Sequence, residues 1–185
     1  MESAESRWAA LLPHASTLGG ATCAIDAHAR LLGSGSGLFR YVLRADIARV
    51  RIPPTQTVER ADGLWQHTCF EAFLRVPGAP GYYEINIAPS RQWAVYRFDA
   101  YRQGMSSPEV QPPEISVRRF AARLEVDAAV RLRDLNGLQG APRLQVALSA
   151  VLEAENGTLS HWALKHASST ADFHHPDGFV LELTV

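Results

Sequence analysis

The chain has 185 residues, 46% of them hydrophobic, and a formal net charge of -1 at pH 7. This length favours one domain over residues 1–185, with a core large enough to need no disulfide or metal. The near-neutral charge argues against nucleic acid as a partner, and no segment is apolar enough for a membrane span. Without a signal-peptide pattern, and with Cys23 and Cys69 as the only cysteines, we expect a cytoplasmic protein.

Short alternating runs of apolar and polar residues, separated by Gly, Pro and Asn-Gly, dominate the chain and predict an all-β fold. Residues 33–37, Gly-Ser-Gly-Ser-Gly, precede a strand rather than a helix and are interpreted as a hairpin loop, not a phosphate site. Asn156-Gly157 is typical of a type I′ hairpin turn. We expect a two-sheet antiparallel β-sandwich. The predicted strands span residues 21–30, 38–46, 64–76, 82–88, 92–101, 115–120, 122–130, 143–153, 158–166 and 179–185.

The strands predicted at residues 64–76 and 82–88 form a hairpin whose register follows from its hydrophobic pattern. Its apolar residues must share one face, since a one-residue slip would expose them all. Glu71 should then lie opposite Asn86. The other face carries an unusual mixture of side chains. These are Trp65, His67, Cys69, Glu71 and Phe73 on the first strand and Tyr82, Glu84 and Asn86 on the second.

The third strand extends this mixed face. A two-residue turn at Ser90-Arg91 would place Arg97 opposite Glu84, with Trp93 and Asp99 on the same face. Indole rings stack on polar ring-shaped ligands while carboxylate, amide and guanidinium groups bind hydroxyls, so the face predicts a ligand-binding groove. A covering loop, with Glu84 and Arg97 as a structural ion pair and no ligand, is the alternative.

The same face could also carry chemistry. His67 and Cys69 lie about 6.6 Å apart at strand spacing, too far for direct proton transfer to the histidine. Glu71 and Glu84 could act as hydrolytic carboxylates, although Arg97 nearby would lower the pKa that a general acid needs raised. We assign no catalytic residue and, because the late histidines lack ligand spacing, no metal site. These histidines are His161, His166, His174 and His175.

Four segments, in this order, resemble one known family. They are LWQHTCFEAFL (64–74), YYEINIAPS (82–90), WAVYRFD (93–99) and HWAL (161–164) with DFHHP (172–176). They are similar to DOMON-like domains and, within them, to family 9 carbohydrate-binding modules. The resemblance implies a β-sandwich that binds sugar or haem on the concave face of one sheet. It implies Trp65 and Trp162 as a sugar clamp, with Glu71, Asn86 and Arg97 or Arg91 as polar partners.

These observations together predict a non-catalytic domain for a small carbohydrate-like ligand, with no cofactor. Its expected ligand-binding residues are Trp65, His67, Glu71, Glu84, Asn86, Arg91, Trp93, Arg97, Trp162 and His174. Two alternatives stay open. One is a haem-binding redox domain of DOMON type, for which Met105 is the only internal methionine. The other is a sugar-processing enzyme that uses Glu71 or Glu84.

Overall fold

The computed structural model describes residues 8–17 and 23–184. These residues form twelve strands and four short 3-10 turns, so the predicted all-β class is confirmed. None of the helices found there is long and apolar enough to cross a membrane. The strands are β1 (Ala9–Pro13), β2 (Ala24–Leu32), β3 (Ser36–Arg44), β4 (Glu59–Arg60), β5 (Cys69–Arg75), β6 (Tyr82–Ile87), β7 (Gln92–Phe98), β8 (Glu114–Phe120), β9 (Arg123–Arg131), β10 (Arg143–Glu153), β11 (Leu159–Ala163) and β12 (Leu181–Thr184).

The strands follow one hydrogen-bonded path, in the order β4-β7-β6-β5-β10-β11-β1-β2-β3-β9-β8, and β12 pairs with β10 beside this path. Strand β1 pairs with β11 on one side and with β2 on the other, so it joins the two halves of the fold. Strand β4 runs parallel to β7. The arrangement therefore differs from two separate, wholly antiparallel sheets, although the remaining pairs are antiparallel.

The main core lies where the apolar faces of the two halves meet. Tyr41 on β3 and Phe70 on β5 are fully buried, with ring centroids 5.0 Å apart. The Tyr41 hydroxyl donates a 2.6 Å hydrogen bond to the backbone oxygen of Glu71. The main core thus holds one face of strands β5, β6 and β10 in place. Their opposite face carries the polar groups.

A second, smaller apolar cluster covers part of that other face. It includes Phe73 on β5, Tyr82 on β6 and Phe98 on β7, packed beside Phe179 from the C-terminal segment. Tyr82 and Phe98 stack with ring centroids 4.9 Å apart. Because β5 and β6 are buried on both faces, they supply a rigid floor for the adjoining cavity.

Candidate functional site

A cavity of about 380 Å³ lies on the outer face of the sheet. Side chains from β5, β6, β7, β10 and β11 form its floor, and three connecting segments form its walls. The floor residues are Glu71, Glu84, Tyr96, Phe98, Val151 and His161. The wall residues are Trp65, Arg102, Met105, Ala171, Phe173 and His174.

The register of β5 and β6 agrees with the sequence prediction. Glu71 pairs with Asn86, as expected, and Phe73 pairs with Glu84. Both glutamates face the cavity. Asn86 is fully buried and supports the floor from one side, since its amide Nδ2 donates a 2.8 Å hydrogen bond to Glu84 Oε1.

The prediction for β7 is wrong by one residue, because the β6–β7 loop is longer than expected. Ala88 N–H donates to Gln92 O at 2.9 Å, which leaves residues 89–91 as a three-residue loop, and Arg91 adopts a left-handed φ of 74°. Tyr96 instead of Arg97 therefore lies opposite Glu84. Arg97 faces away from the cavity, with Nη2 3.4 Å from the exposed Asp99.

The same shift places Trp93 in the main core instead of the groove. Trp162 is also a core residue, since it pairs with Ala150 and is almost fully buried. Its indole Nε1 donates to Ser160 Oγ at 3.0 Å. The predicted two-tryptophan clamp is therefore not formed, and His161 occupies the cavity face of β11.

His67 and Arg91 do not line the cavity either. The strand predicted from residue 64 begins only at Cys69, and Leu64–Gln66 form a 3-10 turn, so strand alternation does not extend back to His67. The His67 side chain is 64% exposed, with Nδ1 2.8 Å from Glu153 Oε2. Glu153 also pairs with Arg51, which makes this a structural ion cluster beside the site.

Trp65, in contrast, lies at the cavity wall as predicted for a groove residue. It is 39% exposed, and its ring meets Tyr96 edge to face, at 5.8 Å and 77°. The Tyr96 hydroxyl donates to Asp62 Oδ1 at 2.6 Å, which fixes the ring against which Trp65 rests. The exposed indole is therefore held in place while one face stays available for a ligand.

Glu71 is the most unusual group in the floor. Its side chain is 2% exposed, and Oε1 has no hydrogen-bond partner among the described residues. Burial, followed by the charge of Glu84, raises the Glu71 pKa well above its ordinary value. Burial also raises the pKa of Glu84, against the opposing effect of the Asn86 hydrogen bond. The two carboxyl groups therefore share one poorly solvated space.

His174 connects this floor to the cavity wall. Its Nδ1 lies 2.8 Å from the Tyr82 hydroxyl, and its Nε2 lies 3.6 Å from Glu84 Oε2. Burial, with a smaller effect of Arg102, lowers the His174 pKa to about 4. The imidazole is therefore neutral near pH 7 and places no positive charge beside Glu84.

Asp172 joins two walls of the cavity. It accepts hydrogen bonds from Arg102 Nη2 at 2.8 Å, from the Tyr101 hydroxyl and from His174 N–H at 3.1 Å. Burial alone would raise its pKa, but these bonds outweigh burial, and the Asp172 pKa is lowered. Arg102 N–H also donates to the Tyr82 hydroxyl at 3.1 Å. We call Asp172, Arg102 and Tyr101 the loop latch.

The geometry limits the chemistry of the site. Burial raises the Cys69 pKa, and with His67 turned toward Glu153 the pair cannot act as a thiolate and base. The described part of the chain contains no group of three or more His, Cys, Asp or Glu residues placed to hold a metal. Haem fits poorly as a cofactor. The two His174 nitrogens lie against the Tyr82 hydroxyl and Glu84, so neither is free to bind iron, and Met105 is 61% exposed.

Comparison with known proteins gives a structural likeness only. The sequence matches no protein-family model, and no curated protein is significantly similar to it. A Bacteroides uniformis protein, provisionally described as carbohydrate-binding, is similar with a TM-score of 0.71 at 12% identity, over 97% of this chain and 86% of that one.

Two further matches are structures of a family 9 carbohydrate-binding module from Caldicellulosiruptor kristjanssonii. The glucose complex has a TM-score of 0.54 at 9% identity, over 97% of this chain and 83% of that one. The cellotriose complex has a TM-score of 0.55 at 9% identity, over 97% and 82%. The DOMON part of the resemblance stays a prediction, whereas the chain has the fold of the family 9 carbohydrate-binding modules.

Proposed function

We propose that this chain binds a small carbohydrate-like ligand, without catalysis, in the cavity between Trp65 and the Glu71–Glu84 floor. One observation carries the proposal: a partly exposed, immobilised indole stands beside a floor of buried polar groups. The indole offers a stacking surface for the apolar face of a sugar ring, and the floor offers acceptors for its hydroxyls.

The dimensions of the cavity are consistent with this proposal. Its volume of about 380 Å³ is near the low end of the roughly 300–1,000 Å³ typical of small-molecule sites. That space suits one or two sugar rings better than a long polymer. The similar fold of modules solved with glucose and cellotriose supports the same ligand class.

Trp65→Ala tests the proposal, with Trp8→Ala as its matched control. Trp8 is similarly exposed, but it rests against His28 and Arg40, away from the cavity. Loss of a stacked tryptophan should cost about 2 kcal/mol, roughly a thirtyfold drop in affinity. The measurement is isothermal titration calorimetry against mono- and disaccharides. A folded Trp65→Ala protein with unchanged affinity would contradict the proposal.

A sugar-processing enzyme is the second candidate, favoured by the two neighbouring carboxyl groups. A Glu71 carboxyl that keeps its proton beside a Glu84 carboxylate would supply an acid and a base. This candidate requires turnover of a glycoside that disappears in Glu71→Gln and Glu84→Gln while ligand binding persists. If the unaltered protein binds a glycoside but does not turn it over, the enzyme candidate is rejected and the binding proposal stands.

A further inference from the structure

A cross-strand row of buried polar residues with unused hydrogen-bonding capacity meets the cavity floor at Glu71. Asn86, Glu71 and Ser149 lie side by side on β6, β5 and β10. Glu71 Oε1 and Ser149 Oγ are both buried, and neither has a partner among the described residues. Unsatisfied buried polar atoms are costly. Of the two residues, Glu71 lines the cavity, so its unpartnered oxygen indicates a position for a donor from outside the chain.

The charges around this row are not balanced by the protein. Glu71 and Glu84 supply two carboxyl groups. The guanidinium that lines the cavity, Arg102, is already paired with Asp172. His174 is neutral near pH 7, and burial and neighbouring histidines lower the pKa of His161. The other groups facing Glu71 carry no positive charge: they are Cys69, Tyr41 and Ser149. The described floor therefore lacks a cation for its second carboxylate.

The two carboxyl groups of the floor can be stabilised in two ways, by a shared proton or by a bound cation. Without ligand, one proton shared between the two carboxyl groups would relieve the repulsion of two carboxylates in a poorly solvated space. A cationic group from the ligand would replace that proton and pair with both carboxylates. An ammonium group has three donors, enough to bond to both carboxyl groups at once.

We infer that the preferred ligand is an amino sugar, with its protonated primary amine bound between Glu71 and Glu84 and its ring against Trp65. This inference rests on the proposed carbohydrate-binding function and specifies its ligand class. An inorganic cation fits less well, since the described residues offer no group of three metal-binding side chains. A neutral sugar would leave the excess negative charge in place.

Matched sugars test the inference by titration calorimetry near neutral pH. The probes are glucose, glucosamine and N-acetylglucosamine, with the corresponding galactose series. We expect the amines to bind at least about tenfold more tightly than the neutral members of each series. Binding should also release about one proton, seen as a dependence of the heat on buffer ionisation enthalpy.

Three variants locate the amine. Glu71→Gln keeps the shape of the side chain but removes its charge, so it should abolish the preference for amines and the proton release. Glu84→Gln should also reduce the preference for amines, and it keeps the test informative if the first variant misfolds. Glu182→Gln on β12, half-exposed and away from the cavity, should behave like the unaltered protein.

The results separate this inference from the proposed function. Equal affinities for glucose and glucosamine would overturn the inference and leave carbohydrate binding intact. A preference for amines that survives in both Glu71→Gln and Glu84→Gln would overturn the assigned position. Failure of every sugar in both series to bind, amines included, would count against the proposed function itself.

Discussion

Replacing Glu71 by glutamine should stabilise the protein, increasingly so as the pH rises. The raised pKa of Glu71 means that the folded state holds a proton which the unfolded state releases above a pKa of about 4.3. The folded protein then binds more protons than the unfolded one, so its free energy of unfolding falls with increasing pH. The stability present below pH 4.3 is lost as the pH rises toward the folded pKa.

The size of this effect follows from linkage. One extra proton in the folded state changes the free energy of unfolding by at most about 1.4 kcal/mol per pH unit. Above pH 4.3 the difference between Glu71→Gln and the unaltered protein should therefore grow by up to that amount per unit. Urea unfolding at several pH values measures it, with Glu182→Gln as the exposed control. Parallel pH profiles for Glu71→Gln and the unaltered protein would refute the assignment of a buried, protonated Glu71.

The remaining predictions concern four other groups. Titration of the histidines by NMR should give His174 a pKa of about 4, so its contribution to stability, present above pH 6.5, should be lost as the pH falls toward 4; a normal value would contradict its burial. Asp172→Asn should increase amide hydrogen exchange at residues 99–106 and 170–176 and weaken sugar binding, and unchanged exchange would show that the loop latch is dispensable. Cys69 should react with thiol reagents only after unfolding, because burial raises its pKa. Added haem should give no Soret band that depends on His161, since His174 is held by Tyr82 and Glu84 and Met105 is exposed, which leaves haem without a second ligand.

The main elements of the fold could be predicted from the sequence, because alternating hydrophobicity and loop residues specify them. The register between β5 and β6 could also be predicted, because only one pairing puts the apolar residues of both strands on the same face. The joining of the two halves through β1 could not be predicted. Residues 9–13 carry no alternation that identifies them as a strand between two sheets.

The misplaced residues of β7 share one physical cause. The β6–β7 hairpin was assigned a two-residue turn, but it has a three-residue loop ending in Arg91, with a left-handed φ of 74°. The β10–β11 loop is likewise one residue longer than the predicted Asn156-Gly157 turn and ends in Gly157, with φ 82°. One extra loop residue moves every following side chain to the other face. It therefore exchanged Arg97 for Tyr96 in the cavity. Trp162 was placed there by the family resemblance and not by a register, and the structure puts it in the core.

A non-glycine residue with positive φ, such as Arg91, is uncommon, and this explains why the first loop length was hard to predict. The wall residues Arg102 and Phe173 were missed for a different reason. They belong to irregular segments, whose positions depend on contacts such as that between Arg102 and Asp172. Neither periodicity nor turn propensity reports such contacts.

Floor and walls should contribute differently to binding. Glu71 and Glu84 lie on strands buried on both faces, so their separation is fixed before a ligand arrives. Two of the three walls are joined by the hydrogen bonds of Asp172 with Arg102 and Tyr101, and such exposed pairs are individually weak. Selectivity between neutral and amino sugars should therefore depend on the floor. Changes in the loop latch should instead alter the affinities of all ligands together, because they change only how well the walls are preorganised.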